Sequence, residues 1–265
     1  MEVKLDGKRA LVTGAGKGFG REIAKRIAEC GAETFALSRT QEDLDSLKSE
    51  VPNINIINVD LQDWDKTREE VRKVGHIDLL VNNAGVICRI PFIDTPKEEI
   101  DRLYDVNVKA VFNVSQACPF AWFEYYLDSI LFLFEVIAKR MIEKGKGGSI
   151  VNISSIASRT VLPGASAYCS TKGAVDNITR CMALELGPHN YGVFSIRVNS
   201  VNPTFVITNM TKGQEHTVSS ILERTPMGRF PEIKDVVNAV VFLLSDESGM
   251  ISGESLRVDG GVGVY

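Results

Sequence analysis

The chain is poor in the residues that most often build a metal centre or a disulfide framework. Its three histidines, His76, His189 and His216, are too scattered for a His-rich metal site or for His-based catalysis. The five cysteines (Cys30, Cys88, Cys118, Cys169 and Cys181) are odd in number and show no CxxC spacing. Reduced thiols are therefore expected, with no disulfide framework and no metal. An excess charge of one sign is also missing. Thirty Lys and Arg against 34 Asp and Glu leave a net charge of −4, which gives no electrostatic footprint for nucleic acid. Long uncharged apolar runs are absent too. The stretch most like a membrane span, residues 117–137, carries Glu124, Asp128 and Glu135, which are costly at bilayer depth, so no transmembrane segment is expected. Residues 1–9 alternate charged and apolar side chains without an apolar stretch. No secretory signal is expected there, and a cytoplasmic location is the default.

No Pro-, Gly- or Ser-rich linker and no block of like charge divides the 265 residues, so one domain over the whole length is expected. A content of 44% hydrophobic and 24% charged residues suits a soluble globular chain with a real core. What the sequence does have is alternation. Short β-branched runs at 9–13, 33–38, 55–59, 79–82, 149–153, 196–201 and 255–258 read as strands. Between them, segments such as 21–30, 43–50, 63–74 and 233–244 repeat apolar residues at helical spacing. The pattern predicts an α/β fold, a doubly wound Rossmann-like parallel sheet of about seven strands with helices on both faces.

The first strand runs directly into Thr13-Gly14-Ala15-Gly16-Lys17-Gly18-Phe19-Gly20, and a helix follows. Glycines allow a sharp turn and close approach to a pyrophosphate, whose charge is met by the helix N-terminus. A Gly-rich turn alone is weak evidence; its place after the first strand of a βαβ unit gives it meaning. At the end of the second strand, where an NAD enzyme would usually carry a carboxylate for the ribose hydroxyls, the chain has Leu37-Ser38-Arg39-Thr40. Arg39, helped by Ser38 and Lys17, can neutralise a 2′-phosphate, so NADP(H) is the expected cofactor.

Together with this turn, Asn82-Asn83-Ala84-Gly85, Asn107, Ser155, Tyr168-x3-Lys172 and Asn202-Pro203-Thr204 stand in an order and spacing that resembles the classical short-chain dehydrogenase/reductase family over nearly the whole chain. The stretches at 37–41, 168–174 and 242–250 are similar to the branch reducing small carbonyl compounds. The resemblance implies that Asp60 and Leu61 flank the adenine and that Asn83, Ala84 and Gly85 line the cofactor's central path. It further implies that Pro203, Val206 and Thr208 lie by the nicotinamide, and that the enzyme is a homotetramer.

Tyr168 and Lys172 lie four apart on a helix and so share a face. A free phenol has a pKa of about 10, and a nearby ammonium would lower it toward working pH. Ser155 ends a strand and can hydrogen-bond the substrate oxygen as negative charge develops. Asn107 interrupts an apolar helical pattern; by family analogy it holds a water that passes protons through Lys172. Singly, each of the four has an ordinary structural explanation, whereas four in register behind a nucleotide fingerprint point to chemistry. Ile156, Ala157, Pro163, Ala165 and the loop from Phe205 to about Thr217 are expected around a small-molecule carbonyl or polyol substrate. The alternatives are reduction of another ketone, an oxoacyl chain or a steroid, and a non-catalytic NADP-binding oligomer. Finally, residues 118–135 form an atypical apolar insertion, about five helical turns long, which reads either as a remodelled subunit interface or as a segment without a role. A shorter excess follows at 191–195.

Overall fold

A computed structural model describes residues 3–117, 147–187, 196–206 and 221–264. Cys118, His189, Thr208, His216, the insertion at 118–135 and the short excess at 191–195 lie outside the described residues.

The seven strands are β1 (Arg9–Thr13), β2 (Glu33–Ser38), β3 (Asn55–Asn58), β4 (Leu79–Asn82), β5 (Gly148–Ile153), β6 (Ile196–Pro203) and β7 (Ser255–Val258). They form one parallel sheet in the order β3-β2-β1-β4-β5-β6-β7. The helices are α1 (Gly18–Glu29), α2 (Gln41–Glu50), α3 (Trp64–Val74), α4 (Lys97–Tyr104), α5 (Ala110–Gln116), α6 (Ser166–Leu186) and α7 (Ile233–Leu244). Sheet type and element order agree with the expectation from periodicity.

Alternation along each strand sends neighbours to opposite faces. In β1, Ala10 and Val12 join Ile23, Ala24 and Ile27 of α1 and Val236, Val240 and Leu244 of α7. Leu11 between them points the other way, to Leu37, Leu80, Val71 of α3 and Val114 of α5. Both faces are thus covered, which explains why the central strands are apolar throughout rather than alternating. Each fully buried Leu, Ile or Val in these layers contributes roughly 1.5–3 kcal/mol relative to exposure.

Local signals set the helix ends. Asp63 caps α3 by accepting from the Lys66 amide, and Glu232 with Asp235 forms a reciprocal capping box at α7. The far end of α7 is closed from β6. The buried Arg197 guanidinium donates to the Leu243 carbonyl (2.8 Å), the Ser245 carbonyl (2.9 Å) and Ser248 Oγ (2.7 Å), where a cation also meets the negative helix end. Burial pushes that guanidinium's pKa down. Between α4 and α5 the chain widens into a π-turn at Asp105–Lys109. Among the described residues, no helix is long and apolar enough to cross a membrane.

Strand order reverses direction between β1 and β4, both of which are central. In a doubly wound sheet the crevice at the carboxyl ends of those strands is where ligands bind. The loops after β1, β4, β5 and β6 all open there.

Candidate active site

The turn after β1 is held against the loop after β4. Thr13 Oγ1 accepts from the Asn83 amide (3.0 Å) and the Ala84 amide (3.1 Å), and Asn83 Nδ2 donates to the Thr13 carbonyl (2.9 Å). Gly14 has φ +64°, and a Cβ there would lie 2.9 Å from Ala84 Cα. A Cβ on Gly16 would lie 2.8 Å from Ser38 Oγ and 2.9 Å from Asp43 Cβ, so a side chain there would crowd the end of β2 and the start of α2. Gly18 differs: its φ is +57°, and the space around it is open. The first turn of α1 begins there, with Lys17 at the N-cap making no side-chain cap bond. Its backbone N–H groups thus remain for an anion. Phe19 packs onto the core and Gly20 is buried.

The second-strand residues take different roles. Arg39 is exposed and no hydrogen bond or ion pair engages its side chain among the described residues. Ser38 ends β2, and Thr40 is the N-cap of α2. Lys17, expected to help Arg39 with a 2′-phosphate, is 67% exposed and pairs with Asp43 at 3.1 Å. Asp60 accepts from the Gln62 amide (3.0 Å) beyond β3, and Leu61 is buried beside it. Arg21 was not singled out from the sequence. It ties the turn to α2, donating to the Gly16 carbonyl (3.2 Å), the Asp43 carbonyl (3.0 Å) and Glu50 Oε1 (2.7 Å).

The four acid–base candidates gather across the crevice. Tyr168 and Lys172 stand one turn apart near the start of α6, with Lys172 Nζ 5.8 Å from the Tyr168 ring centroid. Ser155, just past β5, acts on the Tyr168 hydroxyl by favouring its ionised form, and its Oγ accepts from the Ala157 amide at 3.1 Å. Lys172 is 5% exposed, and its ammonium donates to the Ile153 carbonyl at 2.8 Å. Burial pulls its pKa down to about 8, opposed by nearby Asp176. Burial pushes the Tyr168 phenol up to about 12, opposed by Ser155. The phenol thus shifts against the sequence-based expectation, because burial outweighs the favourable Ser155 interaction.

Asn107 sits in the π-turn, 1% exposed. Its Oδ1 accepts from the Val86 amide (2.8 Å), and its Nδ2 donates to the Val86 carbonyl (2.9 Å) and Thr171 Oγ1 (3.0 Å). Both amide hydrogens are therefore committed to joining the β4 loop to α6, a positioning role rather than a free donor. Gly85 keeps the gap between this amide and Lys172 open: a Cβ there would lie 3.4 Å from Asn107 Oδ1 and 3.5 Å from Lys172 Nζ.

Behind Ser155, Asn202 of the Asn202-Pro203-Thr204 motif pairs with an acid that the sequence-based selection missed, Asp176. Asp176, 3% exposed, accepts from Asn202 Nδ2 on both oxygens (3.1 and 2.9 Å) and from Ser200 Oγ (3.1 Å). Asn202 Nδ2 also reaches the Ser155 carbonyl (3.1 Å) and Ser158 Oγ (3.0 Å). The available signal was the four-residue step Tyr168, Lys172, Asp176, which places an acid on the same face of α6.

Around the pocket, Ile156, Ala157 and Ala165 are buried, while Pro163 is exposed. Gly164 accepts from the Ile90 amide at 2.7 Å, which stitches the β4 loop to the loop before α6. At the end of β6, Pro203, Thr204 and Val206 are buried. The Thr204 hydroxyl has no hydrogen-bond partner among the described residues.

Residues 8–124 match the family described as short chain dehydrogenase. Human L-xylulose reductase is 47% identical over 264 residues, an alignment covering 98% of each chain. The chain belongs to the short-chain dehydrogenase family. Residues 120–263 of this short-chain dehydrogenase match a family described as enoyl-(acyl carrier protein) reductase. The pig protein named carbonyl reductase (NADPH) 2 is 46% identical over 264 residues, again with 98% of each chain covered. Among solved structures, a gluconate 5-dehydrogenase from Burkholderia cenocepacia in complex with NADP and tartrate is 29% identical. It superposes with a TM-score of 0.85, covering 100% of this chain and 98% of that one.

Proposed function

We propose that this short-chain dehydrogenase reduces small carbonyl compounds with NADPH, through Ser155, Tyr168 and Lys172. The observation that carries the proposal is the buried Lys172 ammonium beside the Tyr168 ring, with Ser155 acting on the phenol, in the crevice at the sheet's switch point. The L-xylulose and carbonyl reductases among the relatives support this substrate class.

NADPH, when bound, supplies the hydride. Several features fit that cofactor: the open Gly18, the uncapped start of α1 and the unpaired, exposed Arg39, which suits a 2′-phosphate. Asp60, Asn83, Ala84, Gly85, Pro203, Val206 and Thr208 are proposed to complete its binding surface.

The remaining steps belong to the chain. With its pKa held up near about 12, Tyr168 is protonated at neutral pH and can give its proton to the developing alkoxide. Ser155 donates a hydrogen bond to the same oxygen and stabilises its charge. Lys172, with a pKa of about 8, is mostly charged near neutrality and can restore a proton toward the phenol. Asn107 and the Asp176–Asn202 pair hold these groups in place.

The buried lining of Ile156, Ala157 and Ala165 offers little to a row of sugar hydroxyls, and unpaired hydroxyls cost about 1–3 kcal/mol each. This favours compact dicarbonyls such as diacetyl over L-xylulose. Following the loss of NADPH absorbance with diacetyl and with L-xylulose tests the function. Turnover of neither, with NADPH bound, overturns it. We also propose a cytoplasmic homotetramer, for which exposed Phe112 and Leu184 offer apolar contact area; mass in solution checks it.

A further inference from the structure

Arg89 lies four residues beyond Gly85, between two fixed points. On one side Val86 is clamped by the Asn107 amide. On the other, the Ile90 amide donates to the Gly164 carbonyl at 2.7 Å, beside buried Ala165 and four residues before Tyr168. The Arg89 backbone is therefore held on the rim of the carbonyl site. Its side chain is half-buried, and its Nε is sealed from solvent with no hydrogen-bond partner among the described residues.

A buried guanidinium donor without an acceptor is unusual, since such groups are nearly always satisfied by protein, water or ligand. Among the described residues no carboxylate pairs with it. Glu99, which influences neighbouring Cys88, is taken by Arg102 through two bonds of 3.1 and 2.7 Å. Its chain neighbour Ile90 and the buried Ile156, Ala157 and Ala165 of the loops after β5 are apolar. A guanidinium whose Nε has no acceptor among the described residues, on a loop at the rim of the carbonyl site, suits a planar carboxylate, which the Nε edge of an arginine can bind through two parallel bonds.

We propose that Arg89 is a carboxylate anchor and that the preferred substrates are small oxo acids, reduced to hydroxy acids. This rests on the carbonyl-reductase function proposed above and narrows its substrate class.

The test compares pyruvate, acetoacetate and laevulinate with their methyl esters in the wild type, Arg89→Leu and Arg89→Lys. A charge-assisted bond in a partly buried site should make at least one acid about ten- to a hundredfold better than its ester in kcat/KM, mostly through KM. In Arg89→Leu that ratio should collapse toward unity, and Arg89→Lys should keep part of it. The same acids are also titrated calorimetrically against the enzyme with oxidised cofactor, where no hydride is available. Wild type should bind an acid more tightly than its ester, and Arg89→Leu should not. Esters matching acids in wild type in both measurements, or a preference surviving Arg89→Leu, would overturn the anchor. If Arg89→Leu does not fold, the wild-type ratio and Arg89→Lys still decide. No NADPH consumption with acids, esters or diacetyl would refute carbonyl reduction itself, while the titration would still settle whether Arg89 binds carboxylate.

Discussion

Replacing Asp176 by Asn should move the alkaline limb of the pH–rate profile. Asp176 is 3% exposed and one helical turn from Lys172, and its charge holds the Lys172 pKa up against burial. Residues four apart on a helix have Cβ atoms about 5–6 Å apart. At an effective dielectric of about 20, two unit charges at about 6 Å interact by about 3 kcal/mol, or about two pKa units. That is a ceiling, since Asn keeps a dipole and water can reorganise. A fall of about one to two units from the wild-type value of about 8 is the working expectation. Charged Lys172 is lost as pH rises through its pKa, so a lower pKa means activity lost at lower pH. Asn keeps one acceptor for Asn202 but forfeits the second, and the weakened pairing should cost about 1–3 kcal/mol of stability. The assay is kcat/KM for diacetyl with NADPH, followed between mildly acid and alkaline pH, alongside a thermal melt. A folded Asp176→Asn enzyme whose alkaline limb coincides with that of the wild type would refute the electrostatic link between these two residues.

Removing only the hydroxyl, Tyr168→Phe should lower kcat by on the order of 10²–10⁴ while NADPH affinity, read by fluorescence titration, stays within a few-fold; retention of half the turnover with chemistry rate-limiting would be incompatible with the mechanism. Arg39→Asp should weaken NADPH and recruit NADH through the ribose hydroxyls, so the ratio of kcat/KM for the two cofactors should invert, and a wild type that already prefers NADH contradicts the assignment. Gly20→Ala would push a methyl into the Gly14 carbonyl and Asn83 Nδ2, costing about 1–3 kcal/mol as an overpacked turn; denaturant midpoints and nucleotide titration should show stability and binding falling together.

Local periodicity was enough for most of the scaffold. The runs that became Arg9–Thr13, Leu79–Asn82 and Ser255–Val258, and the helix Ile233–Leu244, coincide with their sequence patterns, because a sheet buried on both faces and an amphipathic helix each leave a short-range repeat. Boundaries moved where the signal was not periodic: α1 begins at Gly18, inside the glycine run, and β6 extends to Pro203. The spacing of Tyr168 and Lys172 likewise determined that they share a face. Tertiary structure alone decided what surrounds them. Asp176 meets Asn202 from 26 residues away, and Lys17 pairs with Asp43. Asn107 spends its amide across 64 residues on Thr171. The direction of the Tyr168 shift was also beyond reach, since a pKa depends on burial and on which partner each donor chooses, and both are properties of the packed chain rather than of any local segment.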